Sequence, residues 1–241
     1  MGSKGIFIIQ DDQDEQEFEQ FLVESGNPNY VVVDFVDIAR NVACHFFMHP
    51  NGQVVWFGSN ENHREADGKF SSDSYLIMDQ QETLKQMQLP FVEEVVRYCR
   101  GLGFWGFCGI DVLFDGAGNG YLVDINPRVT GSCPALMTLS QLQKKYGFSC
   151  GLFRRSGHIN FFGTPKQLLS KVAKYNKDNE GKSRIVIHSF WEAEDIDGSK
   201  PGFTKVNMGV YGNDLEDCKT VLNTYAKSLK SQADEIDDFE S

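Results

Sequence analysis

Gly109-Ile-Asp-Val-Leu-Phe-Asp-Gly-Ala-Gly-Asn-Gly-Tyr-Leu-Val-Asp-Ile-Asn-Pro-Arg128 reads as two strands joined by a turn, the second strand ending in Asp-x-Asn-x-Arg. Residues 116–119 are all turn formers, so the spacing predicts a hairpin folded between Ala117 and Gly118. Reflection through that midpoint sets Asp111 directly across from Asp124. Strand side chains alternate, so Asn126 shares the face of Asp124. Directly opposed residues have Cβ atoms ~5 Å apart, where two carboxylates repel by ~1 to 4 kcal/mol. A cation removes that repulsion. Two carboxylates and an amide oxygen are hard ligands, which points to Mg²⁺ with phosphates completing the shell.

The stretch from Gly109-Ile-Asp-Val-Leu to Val-Asp-Ile-Asn-Pro-Arg-Val-Thr-Gly-Ser132 resembles the C-terminal core of the ATP-grasp superfamily. By that resemblance Asp111, Asp124 and Asn126 would hold the metals that bridge ATP phosphates, Mg²⁺ or alternatively Mn²⁺. Arg128 would be catalytic and nucleotide-binding, steering a phosphate or a carboxylate. The family often has Glu where Asp124 stands. The resemblance also implies an α+β fold, with an antiparallel sheet flanked by helices. Residues 1–150 would form a partial ATP-grasp domain. Residues 151–241 would be a C-terminal α/β extension ending in an acidic tail.

The chain has 241 residues, 41% of them hydrophobic, and 34 acids against 23 bases give a net charge of −11. No basic stripe offsets that charge, which argues against a nucleic-acid partner. The six cysteines form no Cys-x-x-Cys pair, and no apolar run is long enough to span a membrane. A reduced, soluble, cytoplasmic protein is the simplest reading. Cys44, His45 and His49 invite a zinc reading, but period 2 sends Cys44 and His45 to opposite faces of a strand. The cysteines read as buried thiols and His188 as a core histidine.

Upstream of the hairpin, a short apolar strand is expected over 5–9 and a helix after the acidic residues 11–19. Tyr30-Val-Val-Val-Asp-Phe-Val-Asp37 reads as a buried strand that turns polar at its end. In ATP-grasp proteins such a strand runs into the adenine hinge, so the resemblance assigns Val33, Asp34 and Val36 to the nucleotide. Where the family commonly has an acid for the ribose, this chain has Arg40 and Asn41. Residues 42–48 and 53–58 read as a hairpin turning at Pro50-Asn-Gly52, and 59–73 as a polar loop, a surface loop or a lid carrying His63, Arg64 and Lys69.

Residues 90–100 read as a helix with Pro90 in its first turn. Ser132 is placed to cap a helix that ends at Gly147, with its first N–H groups open either to an anion or to ordinary capping. Strands are expected at 158–162, 185–192 and 204–211. Helices are expected from Thr164-Pro-Lys-Gln167, with its capping-box spacing, and over 214–227.

Gly2-Ser-Lys-Gly5 resembles the tail of the family's phosphate loop, which makes Lys4 a nucleotide-binding candidate. The lysine strand that precedes this loop in the family has no counterpart, so the chain reads as N-terminally truncated. Two functions follow. One is an ATP-dependent ligase joining a small-molecule carboxylate to an amine or thiol through an acylphosphate. The alternative is a non-catalytic nucleotide-binding or interaction module derived from such an enzyme.

Overall fold

The computed structural model describes residues 7–9, 11–26, 29–63, 73–155, 159–193 and 203–230. It divides into two units, Met1–Asp37 and Ile38–Ser241. Lys4, Arg64, Lys69 and the acidic tail lie outside the described residues.

The first unit is built on helix α1 (Asp12–Ser25). The Asp11 carboxylate accepts N–H bonds from Gln13 at 2.9 Å and Asp14 at 3.0 Å, and the helix closes at Gly26 in the left-handed region. Phe7 packs against Phe18 and Phe21. The buried strand expected over 30–37 does not form: residues 29–37 belong to no ladder, and Val33 is 79% exposed. Asp34 is exposed and Val36 half-buried. A β-branched run becomes a strand only where a neighbour takes up its backbone N–H and C=O groups, and the described residues supply none here.

The second unit runs β1 (Ile38–Met48), β2 (Val54–Asn62), β3 (Asp73–Ile77), α2 (Gln81–Gly101), β4 (Gly106–Asp115), β5 (Gly120–Asn126) and α3 (Cys133–Tyr146). It continues through β6 (Cys150–Arg154), β7 (Asn160–Phe161), α4 (Pro165–Asp178), β8 (Ser183–Ala193), β9 (Phe203–Gly212) and α5 (Leu215–Lys230). The nine strands of the described residues form one antiparallel sheet in the order β5-β4-β1-β2-β3-β6-β9. β9 also pairs with β7 and β8. The boundary expected at residue 150 falls on the first residue of β6, and the sheet runs on across it.

Several helix ends follow the expected local chemistry. Thr164 and Gln167 form the capping box of α4, and Gly147 ends α3 with φ 73°. α2 departs from expectation. It begins nine residues earlier, at Gln81, and Pro90 lies in its interior. The Gln81 side chain secures the start: its amide donates to the carbonyls of Ser59 and Ile77 and accepts from the Ser59 N–H at 2.7 Å. Residues 59–62, expected as loop, belong to β2.

One sheet face packs α2 against Val42, Cys44, Phe46, Cys108, Ile110 and Val112. Each fully buried side chain of this size contributes roughly 1.5–3 kcal/mol. Around β6 and β9, Leu152 and Val210 pack with α4 and α5, while Phe153 and Tyr211 pack with α3. Alternation therefore sets α3 on the opposite face from α4 and α5. Cys44 faces α2 and its neighbour His45 faces the other way. All six cysteines are free and buried.

Candidate metal and nucleotide site

The β4–β5 hairpin places Asp111 directly opposite Asp124 and Gly109 opposite Asn126. The route to that register differs from the simple reflection. The turn is centred on Ala117, held by the Asp115 carboxylate, which accepts from the N–H groups of Ala117 (2.9 Å) and Asn119 (2.8 Å). Pairs Phe114–Gly120, Leu113–Tyr121 and Val112–Leu122 follow that centre. A bulge at Val123 then shifts the register by one and brings the two aspartates together.

Around this pair the polar groups are linked. The Asn126 amide donates to Asp124 Oδ2 at 2.7 Å, and the Asn126 Oδ1 accepts from the Arg128 guanidinium at 2.7 Å. Arg128 also donates to the Val129 carbonyl at 3.3 Å. Asp111 is half-buried, and its carboxyl is held above the usual carboxylate range, first by burial and then by the charge of Asp124. Arg155 and Arg128 pull in the opposite direction. The structure thus brings together Asp111, Asp124, Asn126 and Arg128. Val33, Asp34 and Val36 belong to the first unit.

This donor set fits Mg²⁺ on chemical grounds: hard oxygens on one face, with a carboxyl whose ionisation is opposed by its neighbour. No group of three His, Cys, Asp or Glu side chains among the described residues could hold a metal. A cation here therefore depends on the two aspartates, the Asn126 oxygen and further oxygens from a ligand.

Three features were not read from the sequence. Arg155, just past β6, lies beside the loop between β5 and α3, with its Cδ 3.6 Å from where a Gly131 Cβ would stand. Its charge acts on Asp111 and on His45. Second, Arg40 is committed to the α2 side, donating to both oxygens of Glu61 at 2.8 Å. Third, Ser132 makes no side-chain cap bond to α3; its hydroxyl lies 3.1 Å from His45 Nε2. His63 stacks on Tyr75 with centroids 4.0 Å apart.

Among solved structures, biotin carboxylase from Campylobacter jejuni, determined with a β,γ-ATP complex, matches 90% of this chain and 53% of its own at TM-score 0.51 and 9% identity. N5-carboxyaminoimidazole synthetase from Staphylococcus aureus, complexed with ADP, matches 92% and 58% at TM-score 0.51 and 16% identity. The L-amino acid ligase from Bacillus licheniformis matches 93% and 59% at TM-score 0.51 and 14% identity. The chain spans a little over half the length of these proteins, and at such identities the likeness is one of fold: the ATP-grasp architecture. Residues 1–126 match the family model described as L-aspartate–L-methionine ligase, ATP grasp, and the chain belongs to that family. No helix among the described residues is long and apolar enough to cross a membrane.

Proposed function

We propose that this chain carries the metal- and phosphate-binding core of an ATP-dependent ligase that joins a carboxylate to an amine. The observation that carries this reading is the opposed Asp111/Asp124 pair, linked through Asn126 to Arg128. The family description supports two amino acids as substrates, aspartate and methionine. In the proposed reaction a substrate carboxylate oxygen attacks the γ-phosphorus of ATP and ADP leaves. The amine then attacks the acyl carbon of the resulting acylphosphate and phosphate departs.

Asp111, Asp124 and Asn126 would hold Mg²⁺, which supplies positive charge to the nucleotide's phosphate oxygens. Asn126 keeps Asp124 and Arg128 in fixed relation. Arg128 and Arg155 present guanidinium groups to the anionic reactants, so the chain contributes mainly positioning and electrostatics. Residues up to 150 carry this core, with Lys4, Val33, Asp34 and Val36 assigned to the nucleotide by family position. Without a cation, the two aspartates repel phosphate.

Calorimetry of ATP with Mg²⁺, with EDTA, and with Asp124→Asn tests the site. Binding should require Mg²⁺ and be lost in the variant, whose metal-free stability stays within ~1 kcal/mol of the parent. Equal affinity in EDTA would sink the metal site. ADP release stimulated by aspartate plus methionine separates the ligase from a module that only binds nucleotide.

A further inference from the structure

We infer that His45 is a positioning residue that fixes the 127–132 loop and so sets where Arg128 is delivered, an inference that rests on the Asp111/Asp124 reading of the site. His45 is 2% exposed on β1, opposite Gly109 of β4. Its Nδ1 lies 2.6 Å from Thr130 Oγ1, and its Nε2 lies 2.9 Å from Asn60 Oδ1 and 3.1 Å from Ser132 Oγ. A carbonyl oxygen only accepts, so Nε2 carries the proton and points at Asn60, with Ser132 sharing it. The neutral ring then has a lone pair on Nδ1, which accepts from the Thr130 hydroxyl. Asn60 is kept the right way round by its amide, which reaches Asn62 Oδ1 at 3.5 Å.

The loop's other hydrogen bonds among the described residues are short-range, including Leu136 N–H to the Ser132 carbonyl at 3.1 Å and the Arg128 side chain to Asn126 and Val129. Arg128 N–H donates to the Asn126 carbonyl at 2.8 Å, and Cys133 N–H to the Thr130 carbonyl at 3.3 Å. Thr130 is two residues past Arg128, and Ser132 leads into α3. His45 thus holds both ends of the span that follows the arginine.

The space beneath the loop is also set. A Cβ on Gly109 would stand 2.5 Å from Thr130 Cγ2 and 3.2 Å from His45 Nδ1. Only a residue without a side chain lets Thr130 descend onto the ring. An apolar side chain could fill the His45 volume only by taking their shared partner from the Asn60 oxygen and the Thr130 and Ser132 hydroxyls. A buried imidazole with three partners instead specifies one loop conformation. With both nitrogens occupied and no access to solvent, His45 acts through the loop and not on a reactant.

Thr130→Val keeps the shape and deletes the hydroxyl, and Thr130→Ser keeps the hydroxyl. Both avoid the folding risk of replacing His45 itself. Hydrogen exchange of the ligand-free protein should be about three- to tenfold faster over residues 128–133 in Thr130→Val, the worth of one neutral hydrogen bond. Thr130→Ser should restore the parent rate. MgATP affinity should fall by a similar factor in Thr130→Val, but not further when Arg128→Ala is already present, because the two changes share one effect. Unchanged loop exchange in Thr130→Val overturns the inference. Faster exchange with additive losses in the double variant overturns it too, since the loop would then be held without serving Arg128. Asp124→Asn in the parent background keeps the two questions apart. If that variant binds MgATP normally, the metal site is what fails, and the exchange comparison, which needs no ligand, still judges the latch.

Discussion

His45 shows how burial converts a titratable side chain into a structural one. Burial pushes its pKa down to about 4 from 6.5, opposed by the Asn60 bond and reinforced by the charge of Arg155. Below pH ~6.5 the unfolded chain takes up a proton that the folded ring refuses. Stability is therefore fully present above that pH and drains away as the pH falls towards the folded value. The ring's share should drop by about 2 kcal/mol between pH 7 and pH 5. Urea unfolding of the parent and His45→Gln at both pH values checks this, because the difference between the two proteins should shrink by that amount on acidification. A difference that stays constant would mean the folded ring takes up its proton as readily as the unfolded one, and the assignment of a neutral ring would fall. Spacing put Asp111, Asp124 and Asn126 on one face of a hairpin without foreseeing the Val123 bulge that aligns them, and the family resemblance added Arg128 at its exit. His45 and Arg155 were not legible as site neighbours. They arrive from β1 and from the end of β6, and only the sheet brings them to the loop.

Two strands, β3 and β6, went unread, and they share a cause. Asp73, Ser74, Tyr75 and Leu76 are all buried, as are Cys150, Gly151, Leu152 and Phe153. A strand covered on both faces loses the alternation that betrays a half-exposed one. The first half of α2 was missed for another reason, because Pro90 marks a helix start more often than an interior position. The polar residues at the ends of the two hidden strands are matched to each other. Arg154 donates to both oxygens of Asp73, at 2.7 and 2.6 Å, and to Asn223 of α5 at 2.9 Å. The Asp73 and Arg154 side chains are only 6% and 17% exposed. Asp73→Asn removes the charge from one half of a largely buried ion pair and should cost ~3 kcal/mol or more. Adding Arg154→Met should recover part of that loss in urea unfolding. No recovery would show that the charge pair is not the source of the effect.

Across the whole molecule, the site is supported from both ends of the sheet. Tyr211 of β9 stands in space left by Gly151 and Gly209. Its hydroxyl lies 2.6 Å from His188 Nε2 and donates to the Ala135 carbonyl at 3.3 Å, in the first turn of α3. Strands late in the chain thus hold the helix that follows Arg128, and His188, read as a core histidine, is part of that support. The overall charge of −11 makes the local arrangement matter: Arg128 and Arg155 are the cations acting on Asp111 within an otherwise acidic chain. The Val123 bulge carries a consequence for chain length. Because the extra residue sits between the turn and the aspartates, deleting Val123 removes the irregularity yet leaves Asp111 facing Asp124. Deleting Ile125 instead draws Asn126 into the place opposite Ile110 and turns it towards α2. Two deletions of equal size, two residues apart, should therefore part company. Thermal melts with MgATP should show ligand stabilisation surviving the first and vanishing in the second, so that the hairpin tolerates a lost residue on one side of Asp124 and not on the other.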